Sequence, residues 1–282
     1  MYQEADLSDR YLLAGKFRSL QRDYARAIEV FSEGIERFPA DARLYRHRGH
    51  RRLNVRQYQA GLDDLRTAAD LIEGQPDEFD WFTAETADDI ERLQLARPIL
   101  NQHLQVTSET IETTSSLFKS TLHFSVYYHL ALAHFLLHQY EQALTNYRRA
   151  LQASVDDDAR SAVNDWIYMT LLRLGRHSDA AAHLAEVDAE GYQINEETPL
   201  YVNRLRLYKG ELSADELRQR ASAKPLAMVT AEFAIGQWHL NAGRMDEARA
   251  CFEKLLAHGD RHSFAYLVAE RDHQDIQNAN IS

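Results

Sequence analysis

Thirteen histidines and a single cysteine are the side chains of this sequence best suited to bind a metal or attack a substrate. His134 and His138 are four residues apart and would share a helix face. A catalytic zinc needs a third protein ligand, and His129 lies about 140° away around that helix. Cys251 adjoins the apolar Phe252 and has no evident His or Lys partner. No phosphate-binding loop, nucleophile elbow or zinc-protease motif occurs, so we predict no enzyme, no metal and no cofactor.

Arginine and histidine form the most informative cluster of the sequence. Arg43, Arg46, His47 and His50 have the spacing i, i+3, i+4, i+7, which places all four on one face of a helix. Residues 43–56 contain six arginines and no acid. We call these four residues the basic stripe. It is suited to bind a carboxylate, because arginine can grip one through two parallel hydrogen bonds.

An internal role for these arginines is the alternative. Arg48 and Arg52 are predicted to face the following helix or a neighbouring hairpin, and a buried guanidinium group needs a partner. Asp63, Asp64 or the acids of residues 77–91 could supply one. A third interpretation, contact with RNA phosphates, is disfavoured by the net charge of −11, because nucleic-acid binding needs a dominant positive field.

The elements that carry these side chains are predicted to be helices. Glycine (11) and proline (5) are scarce, which favours helices joined by short turns. No uncharged apolar run is long enough to predict a membrane span. The first residues lack the basic start and apolar core of a signal peptide. This predicts a cytoplasmic protein as written, or a periplasmic one if a signal peptide was removed.

A repeated pattern organises the predicted helices. Four residues recur 34 positions along the chain: Gly15, Tyr24, Ala27 and Phe31 return as Gly49, Tyr58, Gly61 and Leu65. Later units repeat the same phase at Tyr140, Ala143, Tyr147 and Ala150, and at Met245, Ala248, Phe252 and Leu255. A single helical hairpin cannot bury its apolar face alone, so these units are predicted to stack on one another.

These residues resemble the tetratricopeptide repeat (TPR) family, whose pattern runs W-x2-L-G-x2-Y, then A-x3-F, then P. The resemblance implies an all-α, TPR-type α-solenoid of about six helical hairpins, with a C-terminal capping helix and one long insertion. Segments 45–51 and 120–124 look like those of stand-alone bacterial TPR proteins of uncharacterised function. The C-terminal third is similar in layout to an adaptor lipoprotein that scaffolds peptidoglycan hydrolases, although the lipid-accepting cysteine is absent.

The predicted organisation follows from the repeats. Residues 1–75 hold repeats 1 and 2, residues 124–262 hold repeats 3 to 6, and the fifth repeat is degenerate. Residues 76–123 form an insertion that is first acidic and then rich in Ser and Thr, either a binding element or a disordered linker. Residues 263–282 are the capping helix and tail, and residues 270–273 are predicted to face water.

The resemblance to TPR proteins implies a concave groove lined by the first helix of each hairpin. Its lining positions hold the basic stripe in repeat 2, Tyr128 and His129 in repeat 3, and Trp166 and Met169 in repeat 4. The alternative for Tyr128, Trp166 and Met169 is that they contact the insertion and belong to the core. We therefore predict a scaffold for protein–protein interaction. Its groove would bind a protein or peptide segment that is acidic or that ends in a free C-terminal carboxylate.

Two further expectations concern binding and assembly. Binding of an acidic segment should strengthen below about pH 6.5, as His47 and His50 become charged. The first alternative function is a self-associating structural subunit, which would form a homo-oligomer through the uncapped N-terminal hairpin. The second is an RNA-binding or enzyme accessory protein.

Overall fold

The computed structural model describes residues 4–78, 80, 120–194, 200–222 and 225–279. Across these residues the chain forms thirteen α-helices and no β-strand, which confirms the predicted all-α class. Most of the predicted insertion, residues 76–123, lies outside the described residues. The chain divides into two compact units, residues 1–137 (unit 1) and residues 138–282 (unit 2).

Unit 1 is built from consecutive helices joined by short turns. Its described helices are α1 (Glu4–Leu20), α2 (Tyr24–Arg37), α3 (Ala42–Asn54), α4 (Tyr58–Ile72) and α5 (Leu122–Leu136). Each helix packs against the next, and α3 also packs against α1 and α5. The first helices of successive hairpins therefore form one layer, as stacked helical repeats require.

Unit 2 repeats the same arrangement. Its described helices are α6 (Tyr140–Gln152), α7 (Asp157–Arg173), α8 (His177–Glu186), α9 (Leu200–Lys209), α10 (Ala214–Ala221), α11 (Pro225–Asn241), α12 (Met245–His258) and α13 (Phe264–Ala279). Consecutive helices pack together, and α7, α9, α11 and α13 also contact one another in that order. Helix α13 packs against both helices of the preceding hairpin, as a capping helix should.

Side chains just before the helices fix where several of them begin. The carboxylates of Asp23, Asp41 and Asp156 accept hydrogen bonds from backbone N–H groups in the first turns of α2, α3 and α7. Ser213 and Glu216 form a complete capping box at the start of α10. These bonds satisfy N–H groups that have no partner within the helix.

Glycine lets the two helices of a hairpin approach closely at equivalent places in both units. A Cβ atom on Gly15 would lie 2.2 Å from Cε1 of Phe31, and one on Gly236 would lie 2.4 Å from Cε1 of Phe252. Both phenylalanines are fully buried, so neither ring can move aside. The close helix–helix contact in each hairpin therefore depends on the absence of a side chain at the glycine.

The surface of α13 differs from the prediction at one residue. Residues 270–273 were expected to face water, but Asp272 is buried. Its Oδ2 accepts hydrogen bonds from Nη2 of Arg173 at 2.6 Å and from Nε2 of Gln237 at 2.5 Å. Asp272 can be buried because a cationic and an amide donor satisfy its carboxylate.

Candidate ligand site

The centre of the basic stripe is occupied by a carboxylate of the chain itself. Arg46 and His47 lie on α3, and both contact Asp80, whose side chain is 2% exposed. Nε of Arg46 is 2.8 Å from Oδ2 of Asp80, and Nε2 of His47 is 3.1 Å from Oδ1. Nη1 of Arg46 donates to Nδ1 of His47 at 2.8 Å, which leaves the imidazole proton on Nε2 to be donated to Asp80.

Backbone pairing places Asp80 at this position. The Asp80 N–H donates to the carbonyl of Ser120 at 2.5 Å, and the Leu122 N–H donates to the carbonyl of Glu78 at 2.7 Å. Oδ1 of Asp77 accepts a hydrogen bond of 2.9 Å from the N–H of His123, in the first turn of α5. Residues 77, 78 and 80 therefore lie against the start of α5.

Two further histidines and an arginine continue the site away from Asp80. The rings of His50 on α3 and His129 on α5 lie 4.0 Å apart between centroids. Nδ1 of His129 donates to the carbonyl of Ser125 at 2.7 Å, and Nη2 of Arg51 donates to Nδ1 of His50 at 2.7 Å. The predicted groove residues of α3 and α5 are thus brought together.

Burial sets the protonation of the histidines. It lowers the pKa of His47, His50 and His129 well below the ordinary value, and the neighbouring arginines lower it further. All three are therefore neutral at pH 7. The expectation that His47 and His50 become charged just below pH 6.5 is wrong for this state, because desolvation disfavours their cationic forms.

Burial also shifts the pKa of the charged groups around these histidines. Burial lowers the pKa of Lys16 on α1 to about 8, with Asp80 opposing the fall and Arg46 adding to it. Burial alone would raise the pKa of Asp80, but Arg46 and then His47 hold it well below its ordinary value. At pH 7 the cations of the site are therefore Lys16, Arg46 and Arg51. Arg46 contacts the carboxylate of Asp80, and the guanidinium of Arg51 lies 5.2 Å from the ring centroid of Tyr24.

Arg43, the first residue of the basic stripe, is held apart from this cluster by partners of its own. Nη2 of Arg43 lies 2.7 Å from Oδ2 of Asp41, and Nη1 lies 2.9 Å from Oδ1 of Asp9. Nη2 also donates to Oγ of Ser8 at 3.0 Å, and Nε is 4.0 Å from a carboxylate oxygen of Glu78. Arg43 therefore joins α1 to the start of α3 and lies at the edge of the site.

Arg48 and Arg52 form the internal ion-pair network that the sequence offered as the alternative. Nε and Nη2 of Arg48 donate to the two carboxylate oxygens of Asp64 at 2.9 and 2.7 Å, and Nη1 of Arg52 donates to Oδ2 at 2.8 Å. Asp63, the other candidate partner on α4, accepts from Gln59 instead. The internal interpretation is correct for these two arginines.

The remaining residues predicted to line the groove, Tyr128, Trp166 and Met169, belong to different units. Tyr128 stacks on Phe124 along α5 in unit 1, with 5.5 Å between ring centroids. Trp166 and Met169 belong to α7 in unit 2, where both side chains are 1% exposed. Their placement on a ligand-binding surface is therefore corrected: helix packing buries them, and a ligand could reach neither without displacing core side chains.

A buried arginine surrounded by aromatic rings explains the position of these two residues. The Arg204 guanidinium on α9 lies 4.8 Å from the ring centroid of Phe233 and 5.7 Å from that of Trp166. Its Nη2 is 2.5 Å from Oδ2 of Asp165 and 3.5 Å from Sδ of Met169. Sequence reasoning missed this pair, because no local pattern relates a residue of α7 to one of α9.

Other kinds of site find no support among the described residues. No group of three or more His, Cys, Asp or Glu side chains in that part of the chain is arranged to hold a metal ion. Cys251 is buried, and burial raises the pKa of its thiol, which keeps it in the unreactive protonated form. None of the helices described above is long and apolar enough to cross a membrane.

Comparison with known proteins identifies the repeats. Tetratricopeptide repeat models match residues 124–154 and 230–258, which both lie within the segment predicted to hold repeats 3 to 6. No curated protein matches the chain, so the similarity of the C-terminal third to an adaptor lipoprotein has no support there.

Several solved structures are similar to the chain. One is the P58(IPK) TPR domain, with 16% identity, 98% of this chain and 67% of that chain covered, and a TM-score of 0.31. Yeast Tom70 has 13% identity, coverage of 99% and 66%, and a TM-score of 0.27. The C-terminal part of a TPR repeat-containing protein from Cytophaga hutchinsonii has 12% identity, coverage of 88% and 95%, and a TM-score of 0.23. The chain spans about two thirds of the length of the first two.

Proposed function

Because this chain carries tetratricopeptide repeats, we propose that it is a non-catalytic interaction scaffold that binds an acidic protein segment against the first helices of unit 1. The binding residues are Arg46, His47 and His50 of α3 and His129 of α5, with Lys16 of α1 and Arg51 beside them. The ligand is a segment whose side-chain or C-terminal carboxylate meets Arg46.

The observation that carries this proposal is the carboxylate already bound by Arg46 and His47. Contacts of 2.8 and 3.1 Å to Asp80 support a carboxylate-binding role for these two side chains. Lys16 and Arg51 add positive charge beside Arg46. A concentration of positive charge favours the approach of a negatively charged segment.

The strength of the interaction would come from a few charged contacts. A hydrogen bond to a charged group contributes about 1.5–3 kcal/mol to binding, so the loss of one contact weakens affinity by roughly 10-fold or more. Charges at the rim of the site are screened over about 8 Å at physiological ionic strength. Binding should therefore weaken as salt is added.

Fluorescence anisotropy with labelled short peptides tests the proposal. One peptide carries Asp and Glu side chains and a free C-terminus, and its matched partner carries Asn and Gln and an amidated end. The acidic peptide should bind more tightly, and Arg46→Gln should weaken that binding by roughly 10-fold. Arg26→Gln is the control, since Arg26 lies on α2 in an exposed pair with Glu29.

Two results would contradict the proposal. Equal binding of the acidic and neutral peptides would exclude a carboxylate-specific site. Equal effects of Arg46→Gln and Arg26→Gln would show that only net charge matters and that α3 does not form the site. Circular dichroism of each variant should accompany the titrations, so that weaker binding is not confused with loss of the fold.

A further inference from the structure

We infer that His47 and His50 are positioning residues of the proposed site, because each neutral imidazole accepts a hydrogen bond that orients a neighbouring arginine toward a ligand carboxylate. The inference rests on the proposed function and identifies how that site is regulated, since a proton taken up by either histidine would release its arginine. It is argued from the bonds that join His47 to Arg46 and His50 to Arg51.

The direction of both hydrogen bonds follows from the chemistry of arginine. Nη1 of Arg46 lies 2.8 Å from Nδ1 of His47, and Nη2 of Arg51 lies 2.7 Å from Nδ1 of His50. A guanidinium group is a donor only and keeps its charge at neutral pH. Each Nδ1 must therefore offer its lone pair, which leaves the ring proton on Nε2. An imidazole that gained a second proton would lose this lone pair and could no longer accept from arginine.

The bond to His50 also changes the direction of the Arg51 side chain. Successive side chains leave an α-helix about 100° apart, so neighbours in sequence do not ordinarily face each other. Arg51 is therefore not part of the basic stripe, yet its bond to His50 turns the guanidinium toward the face that carries the stripe. That face meets α5, because the ring of His50 lies against the ring of His129. The histidine thus brings a second positive group to the proposed site.

Each guanidinium group is held between its histidine and a second side chain. Nε of Arg46 contacts the carboxylate of Asp80, so the imidazole and the carboxylate meet two different nitrogens of one planar group. The guanidinium of Arg51 lies over the ring of Tyr24. A planar group that is held at two of its nitrogens cannot turn about its own axis. The imidazole of His47 therefore determines which edge of Arg46 meets a carboxylate.

Burial keeps both imidazoles neutral and therefore able to accept a hydrogen bond. It lowers the pKa of His47 and His50 well below the ordinary value, and the neighbouring arginines lower it further. The charged or titratable groups that face the two imidazoles, among the described residues, are Lys16 of α1, Arg46 and Arg51 of α3, Asp80, and His129 of α5. A proton that reaches Nδ1 displaces an arginine instead of adding a contact to the ligand. Acidification should therefore not strengthen binding.

Paired substitutions at each histidine separate positioning from a merely structural role. His50→Asn keeps an acceptor oxygen near the place of Nδ1, whereas His50→Leu has nearly the same shape and no acceptor. If His50 only supported the helix, leucine would be the better replacement, because it is a stronger helix former than asparagine. The same pair of substitutions is made at His47. His177→Asn and His177→Leu are the matched controls, since His177 is exposed on α8.

The affinity of the full chain for the acidic peptide, at pH 7.5, is the first measurement. The two Asn variants should bind within about threefold of the wild type, and the two Leu variants roughly 10-fold more weakly, because a charged contact loses its geometry. The His177 variants should bind as the wild type does. Leu variants that bind as tightly as the Asn variants would overturn the inference and leave the proposed function standing. A wild type that binds no acidic peptide would remove both.

The pH dependence of the same titration is the second measurement. Between pH 7.5 and 5.5 the carboxylates of the peptide remain charged. The affinity of the wild type should stay constant over this range or fall at its acidic end. A rise would mean that the histidines bind the peptide as cations, and the positioning role would then be wrong.

Nitrogen-15 NMR of the histidine rings tests the inference on the wild-type chain, without a peptide and without a variant that has to fold. The shifts of the two ring nitrogens report which of them carries the proton. His47 and His50 should carry it on Nε2 at pH 7, whereas His129, whose Nδ1 donates to the carbonyl of Ser125, should carry it on Nδ1. A proton on Nδ1 of His47 or His50 at this pH would refute the inference whatever the peptide titrations show.

Discussion

Each unit of this chain buries an arginine–carboxylate pair, and the two pairs are built differently. In unit 2, Arg204 of α9 and Asp165 of α7 come from neighbouring helices of the repeat stack and lie 2.5 Å apart. In unit 1, Arg46 of α3 receives Asp80 from a segment that belongs to no described helix. One pair is internal to the helix packing, and the other joins the helices to a separate element.

The side chains around the two pairs also differ. Aromatic rings cover the Arg204 guanidinium, and the side chains of Arg204 and Asp165 are at most 2% exposed. Arg46 has His47, Lys16 and Arg51 around it instead. A pair enclosed by aromatic rings is part of the core, whereas the pair of Arg46 and Asp80 lies among polar and cationic side chains.

The largest expected effect is that of Asp165→Ala on unit 2. Removing one partner of a buried pair leaves the other charge uncompensated, which typically costs about 3–5 kcal/mol of the free energy of unfolding. Hydrogen exchange by mass spectrometry, on peptides from residues 138–282, measures the loss. Asp80→Ala should cost unit 1 clearly less, because the Arg46 side chain is 11% exposed and water can reach its site.

Replacing both Asp165 and Arg204 by apolar residues tests whether the unit 2 pair belongs to the core. The double variant Asp165→Leu with Arg204→Met should recover much of the lost stability, since a buried pair contributes little over well-packed apolar side chains. A double variant no more stable than Asp165→Ala would mean that Arg204 contributes mainly through its aromatic neighbours. The unit 2 pair would then not be replaceable by apolar core side chains.

A smaller and equal effect is expected from Gly15→Ala in unit 1 and Gly236→Ala in unit 2. Each introduces a Cβ atom that overlaps a buried phenylalanine ring, and overpacking of this kind costs about 1–3 kcal/mol. Hydrogen exchange in the affected hairpin measures each change. Gly15→Ala with Phe31→Leu should restore part of the loss, because leucine is smaller than phenylalanine.

Similar losses of stability in Gly15→Ala and Gly236→Ala would show that the hairpins are equivalent and that only the polar sites differ. A cost confined to one unit would contradict that view. It would mean that one of the two glycine–phenylalanine contacts can relax by a shift of the helices.

The smallest expected effect concerns pH and His50. The folded state holds His50 neutral with a lowered pKa, whereas the unfolded chain binds a proton below about pH 6.5. Unit 1 should therefore lose stability as the pH falls from 7 to 5.5, by about 1 kcal/mol for this histidine. His50→Asn should remove that share of the loss, because the amide oxygen can still accept from Arg51 and does not titrate.

The same pH series provides its own control. At pH 7.5 the unfolded histidine is largely neutral, so His50→Asn and the wild type should then differ by packing alone. A wild-type stability that is constant between pH 7 and 5.5 would contradict the buried, neutral state of His50. His47 and His129 contribute in the same direction, and Lys16, Arg46, Arg51 and Asp80 are the charged groups that face them.

Local features of the fold could be predicted because their partners are close in sequence or repeat at a fixed spacing. The capping box of Ser213 and Glu216 spans one helical turn. The pairing of Arg48 and Arg52 with Asp64 joins the two helices of one hairpin, whose register follows from the repeat. The burial of Trp166 could not be predicted from position alone, because the TPR pattern places the residue toward a groove but does not specify what fills that space.

The sequence by itself determined the helical hairpins, their repeat and the presence of a basic stripe, because helix periodicity and nearest-neighbour packing are written in residues a few positions apart. Only the tertiary structure decided which acid meets that stripe. Residues 77–91 offer seven carboxylates. The choice of Asp80 depends on backbone pairing with residues 120–122, about forty positions away. The partnership of Arg204 with Asp165 likewise arises from the contact of α7 with α9, since it is packing between elements that determines which charges are buried together.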